Sequence, residues 1–289
     1  MRKSLVAALF LLSSLPALAS MEDALSDFKK GNYGAAIKEL SALGDAGNMS
    51  AQIMLGALYN KGGSVQRDDK VAANWFEKAA NQGNAEAQYQ LGYLYEQSQL
   101  PKDYKVSASW YQKAAQSGSA KAQARLGVFY AEGMGVKKSP NEALLWIGKS
   151  ALQGNSDAQF SLGLMYTIGE NLPKNNKLAL GWMTKAASQY HPDALLMLAN
   201  MYKQGGGGPK DPILAYALNK LALANKTSLI KEAEKIRGQL SDELSPEQID
   251  LSNSLASELQ KPDNFYPALN AYTAKYHKAP FRFFERPER

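Results

Sequence analysis

From Ala51 onward, apolar residues return at spacings of four and three. Ala51, Leu55 and Tyr59 therefore share one face of a helix that turns 100° per residue. The same string comes back along the chain: Leu-Gly pairs stand at Leu55-Gly56, Leu91-Gly92, Leu126-Gly127 and Leu162-Gly163, with Leu198-Ala199 as a fifth, in steps of 36, 35, 36 and 36 residues. Each pair is followed by a tyrosine, at Tyr59, Tyr95, Tyr130, Tyr166 and Tyr202, and Trp75, Trp110, Trp146 and Trp182 keep the same period. A fixed period of this length marks small supersecondary units, none of which hides its apolar face alone, so that they stack.

Each unit divides into two helices. The first carries Ala, Leu and Tyr on one face; the second carries a stripe such as Ala72, Trp75 and Ala79, with a basic and small cluster such as Lys78-Ala79-Ala80 behind the tryptophan. Glycine inside a helix costs about 1 kcal/mol against alanine. Its return after each leucine predicts a close approach of the partner helix. Gly62-Gly63-Ser64-Val65 and Gly133-Met134-Gly135-Val136 read as turns between the paired helices. Gly83-Asn84, Gly118-Ser119 and Gly154-Asn155 read as a helix stop followed by the next N-cap. The second unit lacks the turn glycines and is one residue short, and the fifth has Ala199 for the helical glycine and Gly205 to Gly208 in its turn.

The combined string A-x-x-x-L-G-x-x-Y-x-x-G-x-G-V followed by A-x-x-W-x-x-K-A-A-x-x-G resembles the Sel-one-like repeat (SLR) family, relatives of the tetratricopeptide repeats. The expected fold is an all-α solenoid of about five helix-turn-helix repeats over residues 48–226. A degenerate helix pair at 20–47 precedes them, and capping helices follow at 227–276. Ser245 as N-cap and Pro246 as first helical residue predict a helix over 246–260 that seals the last repeat.

The amino-terminal residues change the picture of where the chain works. Arg2 and Lys3, the apolar run Leu5 to Leu12 and the ending Ala17-Leu18-Ala19 read as a signal peptide cleaved after Ala19, too short to span a bilayer. The expected location is periplasmic or secreted, without stable membrane insertion. Cysteine is absent, which excludes disulfides and thiolate chemistry. The formal charge of +6 falls to +4 without Arg2 and Lys3, and residues 275–289 alone hold five basic against two acidic side chains. The chain is thus a nearly neutral body with a basic, aromatic tail at 277–289, Phe281-Arg282-Phe283-Phe284-Glu285-Arg286. No nucleic-acid partner is expected, since that function spreads basic residues over a face. The tail suits an acidic partner or an anionic membrane surface, or folds back over the last helix.

No catalytic, cofactor-binding or metal-binding residues are expected. The two histidines, His191 and His277, have no metal-spaced partner, and His191, before Pro192 at a unit boundary, reads as a capping or surface residue. Gly205 to Lys210 lacks the order of a phosphate-binding loop, and Pro209 removes a backbone donor. No G-x-S-x-G or H-E-x-x-H string occurs. Positions two, six and nine after the leading alanine lie opposite the Ala-Leu-Tyr face, and the resemblance to tetratricopeptide repeats implies that this stripe lines a ligand groove. The candidate partner-binding residues there are Tyr89, Tyr93, Glu96, Val128, Phe160, Leu164, Asn200 and Lys203. Apolar side chains among them read either as anchors for a partner or as packing between neighbouring first helices. The expected function is an exported scaffold or adaptor, not an enzyme, that binds a protein or peptide in the bacterial envelope or at the host interface. A peptidoglycan-associated module is the alternative, followed by a weak beta-lactam hydrolase. Relatives linked to that last activity carry disulfide-stapled repeats, which this cysteine-free chain does not share.

Overall fold

In a computed structural model, residues 20–97, 101–169 and 172–277 are described, and the expected signal peptide and residues 278–289 of the tail lie outside them. The described residues form fifteen helices and no strand. The expected all-α solenoid of paired helices with capping helices is the fold observed. By contacts the chain falls into two compact units, residues 1–103 and 104–289. The division lies in the turn of the second repeat, the one without glycines.

The first unit holds α1 (Met21–Lys29), α2 (Tyr33–Asp45), α3 (Met49–Lys61), α4 (Asp69–Asn81) and α5 (Ala85–Gln97), each packed on the next. Its core is built from Leu40, Ala51, Leu55 and Trp75, all buried. Ala51, Leu55 and Trp75 are the alanine, leucine and tryptophan positions of the first repeat, and Leu40 is supplied by the preceding α2, so the hydrophobic stripes of neighbouring helices meet as their spacing requires.

The second unit holds α6 (Tyr104–Gln116), α7 (Ala120–Glu132), α8 (Pro140–Leu152), α9 (Ser156–Ile168), α10 (Asn176–Ala187), α11 (Pro192–Gln204) and α12 (Pro212–Ala224). The closing helices are α13 (Ile230–Glu243), α14 (Pro246–Leu259) and α15 (Phe265–Tyr276). One continuous core runs from Leu180 and Met183 through Leu198, Tyr202 and Leu218 to Ile236, Leu255 and Leu269. The closing helices therefore share the core of the last repeat instead of forming a separate one. Helix α14 starts at a capping box, with the Ser245 hydroxyl accepting from the Gln248 amide and the Gln248 side chain accepting from the Ser245 amide.

The helical glycines sit where the paired helices come closest. A Cβ on Gly56 would lie 2.7 Å from the Phe76 ring, and one on Gly127 would lie 2.5 Å from Ile147 Cγ1. The turn glycines do a second job: a Cβ on Gly135 would lie 2.0 Å from the Tyr104 carbonyl oxygen, so the turn of one repeat rests on the second helix of the repeat before. First-helix starts are capped in one register by Asn48, Asn84, Ser119, Asn155 and His191, each accepting from the amide three residues on. His191 is thus a capping residue, as its place at the unit boundary predicts.

Two periodic devices recur along the repeats, the first within a helix and the second between helices. Lys78, Lys113, Lys149 and Lys185 lie 4.0, 3.8, 4.4 and 4.6 Å above the rings of the tryptophans three residues earlier, a cation–π pair per repeat. Buried Gln52, Gln88, Gln123 and Gln159 donate to the carbonyls of Gly44, Ala80, Ala115 and Ala151 at the end of the preceding helix. Gln82, Gln153 and Gln189 donate in turn to Gln52, Gln123 and Gln159 at 2.7, 2.7 and 2.9 Å. Gln52, Gln123 and Gln159 thus each join three helix ends, satisfying carbonyls that the helix itself leaves open, whereas the buried Gln88 Oε1 has no such donor.

Candidate partner-binding surface

Three of the eight candidate residues lie on α5 in the first unit. Tyr93 is 42% exposed, Tyr89 is half-buried, and Glu96 is 4% exposed and accepts from Gln97 Nε2 at 3.0 Å. The stripe read from the sequence thus has one outward ring on this helix, one partly covered ring, and a carboxylate turned inward.

The other five lie in the second unit. Val128 on α7 and Leu164 on α9, one repeat apart in the chain, wall a single cleft of about 220 Å³. Ala131, Ile147, Met165 and Ile168 complete its apolar lining, while Glu132 and Ser161 supply the polar groups. Ile168 is 60% exposed, which leaves the cleft mouth apolar. Phe160, one turn before Leu164, is committed otherwise: its ring stacks on His191 at 4.7 Å and packs against the core. Leu164 does both, touching the same core and facing the cleft. Asn200 and Lys203 stand on α11 outside this lining, Asn200 accepting from Gln204 at 3.0 Å and Lys203 donating to Gln239. The Ser161 hydroxyl donates to the Asp157 carbonyl at 2.8 Å, and the cleft is an apolar socket with one carboxylate in its lining.

Two polar clusters near the repeats have structural roles. His191 accepts from the Ala194 amide through Nδ1, which leaves Nε2 to face Asp157 Oδ1 at 3.3 Å. The hydrogen bond from His191 holds the Asp157 carboxyl below the usual carboxylate range, against burial that pushes it up. At the other end of the unit, Asp211 is 5% exposed and caps α12 through the Leu214 amide. Its Oδ1 also accepts from the Tyr272 hydroxyl at 3.0 Å, and its Oδ2 lies 2.7 Å from His277 Nε2. Burial, then the Asp211 charge, pushes both the Tyr272 and Tyr202 hydroxyls well above the usual phenol range. Among the described residues no group of three or more His, Cys, Asp or Glu is placed to hold a metal ion, and no helix is long and apolar enough to cross a membrane.

The sequence reading missed the cleft residues Ile147, Met165 and Ile168, the glutamine ladder and the Asp211 cluster. The ladder had a visible signal: glutamine follows the leading alanine in Ala51-Gln52, Ala87-Gln88, Ala122-Gln123 and Ala158-Gln159. The Asp211 cluster had none, since Tyr272 and His277 stand more than 60 residues from Asp211.

The Sel1 repeat profile matches residues 50–84, 85–119, 120–155, 156–191 and 192–225. No curated protein sequence matches the chain. Among solved structures, the chain is similar to a protective antigen present in uropathogenic Escherichia coli strains that displays an SLR fold, with 29% identity and a TM-score of 0.72. That match covers 88% of this chain and 53% of the antigen, so the chain spans about half the antigen's length. It is also similar to a Sel1 repeat protein from Oxalobacter formigenes, with 30% identity and a TM-score of 0.68 over 80% of this chain and 95% of that one.

Proposed function

The chain belongs to the Sel1 repeat family, and from that premise we propose that it is an exported scaffold that captures a protein or peptide on the first-helix face of its repeats. Sel1 repeat proteins commonly act as protein-interaction scaffolds. The observation that carries the finer reading is the meeting of Val128 and Leu164 in one apolar cleft open to solvent. An exposed apolar socket costs the free protein hydration energy, and a partner's leucine or phenylalanine side chain filling it would regain about 1.5–3 kcal/mol. Glu132 at its edge favours a lysine or arginine next to that side chain. Tyr93, outward on α5, is a further contact of the kind that interfaces favour.

Export rests on the leader at residues 1–19. The mature amino terminus should then be Ser20, which Edman sequencing of the periplasmic or culture fraction would reveal; an intact Met1 in that fraction would contradict it.

The test of the binding surface is crosslinking in the native host, followed by capture of the identified partner with variant proteins. Leu164→Lys together with Val128→Lys should weaken capture about tenfold or more, given the burial energies above. The helical circular-dichroism melt should stay within a few degrees of the parent. Undiminished capture by a folded double variant would remove the cleft from the interface.

A further inference from the structure

A second cleft, of about 480 Å³, lies between α14 and α15 in the second unit. It is a different surface from the Val128 cleft and does not depend on it. Leu251 and Leu255 form one wall, Tyr272 and Tyr276 the other, and the small side chains of Ala268 and Ala271 leave the space between. Tyr276 is 43% exposed and Ala271 is exposed, so an apolar trough faces solvent. Beside it runs an acidic edge. Helix α14 carries Glu247, Asp250 and Glu258 and no basic residue, and Asp250, Ser254 and Glu258 stand four apart in one row. Ser254 and Glu258 of that row line the cleft, as does Lys275 from α15; Glu258 is paired with Lys261 at 2.6 Å, so Asp250 carries the acidic character of this edge.

The chain itself supplies a segment with the opposite character. Helix α15 ends in the cleft wall at Tyr276, and the next residue, His277, is fixed to Asp211 at 2.7 Å. Residues 278–289 follow, with three phenylalanines at Phe281, Phe283 and Phe284, and four bases, Lys278, Arg282, Arg286 and Arg289, against two acids, Glu285 and Glu288. Twelve extended residues reach about 40 Å, whereas the twelve residues of α15 rise only about 18 Å. A return along the whole trough is therefore well within reach. We propose that the segment Phe281–Arg286 docks in the α14/α15 cleft of its own chain, with phenylalanine rings against Leu251, Leu255 and Ala271 and an arginine toward Asp250. The cleft is then a receptor for an aromatic and basic peptide, closed in the free protein by its own tail. An outside ligand must carry the same chemistry and displace it.

A labelled synthetic peptide of residues 278–289 tests this by fluorescence anisotropy. A chain ending at His277 should bind the peptide. The full-length mature chain should bind it at least tenfold more weakly, because a tethered segment competes at millimolar effective concentration. In the shortened chain, Ala271→Trp should abolish binding by filling the trough, and Asp250→Lys should weaken it several-fold. If shortening harms folding, the full chain gives the same answer: Ala271→Trp should release the tail, read as faster tryptic cleavage after Arg282, since the Arg286–Pro287 bond resists trypsin. Equal binding of the peptide by the full-length and shortened chains would overturn the proposal. So would cleavage indifferent to Ala271→Trp. Tail-dependent dimers in sedimentation would overturn it in favour of a second copy, and tail-dependent binding to anionic vesicles with the trough still open to peptide would overturn it in favour of a lipid surface.

Discussion

At Asp193 three hydrogen bonds decide what a carboxylate does for the fold. It accepts from Thr227 Oγ1 at 2.5 Å, from the Ser228 amide at 2.9 Å and from Ser228 Oγ at 2.8 Å, tying the start of α11 to the approach to α13. Burial pushes its carboxyl up, but the bonds from Thr227 and Ser228 outweigh burial and hold it below the usual carboxylate range. A depressed folded value means that its stabilisation is fully present above the ordinary value of about 3.9. The stabilisation is lost as pH falls through the lower folded value. Asp193→Ala should therefore cost about 1–2 kcal/mol at pH 7, discounted for partial exposure. In paired urea melts the gap to the parent should shrink as pH falls from 7 through the lower folded value; a gap that stays constant would contradict the assignment. Serine and threonine in Lys226-Thr227-Ser228 looked like ordinary loop residues in the sequence, because their partner stands 34 and 35 positions away.

At the scale of the element, glycine shows how pairing overrides propensity. Helices α7 and α8 pack through Gly127, where an added Cβ would meet Ile147 Cγ1 at 2.5 Å, the Ile147 amide nitrogen at 3.1 Å and the Ala143 carbonyl at 3.2 Å. Alanine would favour the helix by about 1 kcal/mol, but overpacking costs about 1–3 kcal/mol. The backbone atoms among its neighbours cannot turn aside. Gly127→Ala should lower Tm. Gly148, one turn along α8 from Leu144, has nothing within 4 Å of a notional Cβ, so Gly148→Ala should raise Tm by the propensity gain alone. Opposite signs in two calorimetric scans are the expected outcome, and two changes of the same sign would contradict the close-approach account. The recurrence of Leu-Gly made Gly127 legible in the sequence. Gly148, outside any repeat signature, had to be read from the packing.

For the whole molecule, stacking makes stability local, since each helix contacts chiefly its sequence neighbours. Asp211 is one exception within the second unit, joining the cap of α12 to Tyr272 and His277, and Tyr190, whose hydroxyl donates to the Leu259 carbonyl at 3.0 Å, is another. Tyr272→Phe removes one bond, at about 1 kcal/mol or somewhat more because the acceptor is charged. Asp211→Ala removes the cap as well and leaves the Tyr272 hydroxyl unpaired, so it should cost at least twice as much. Hydrogen exchange should quicken in α15 and the first turn of α12 in both variants while α7 and α9 keep their protection. Loss of protection across α7 and α9 would show that the closing helices stabilise the entire unit.

The repeat, its two helices, the interior glycines and the capping register were legible because each is written locally and then written again about 36 residues later. Periodicity averages out the accidents of any one copy, and helix, cap and turn depend on residues within a few positions of one another. Which side chains face outward could not be read in the same way. Tyr93, Glu96, Phe160 and Leu164 hold the same kind of position on their helices, yet one is exposed, one is buried, one is stacked on His191 and one walls a cleft. Only the tertiary structure decided among them, because exposure depends on what neighbouring helices bring to the contact. The same holds for the trough between α14 and α15, whose walls come from helices outside the repeated signature and meet only when the chain has folded.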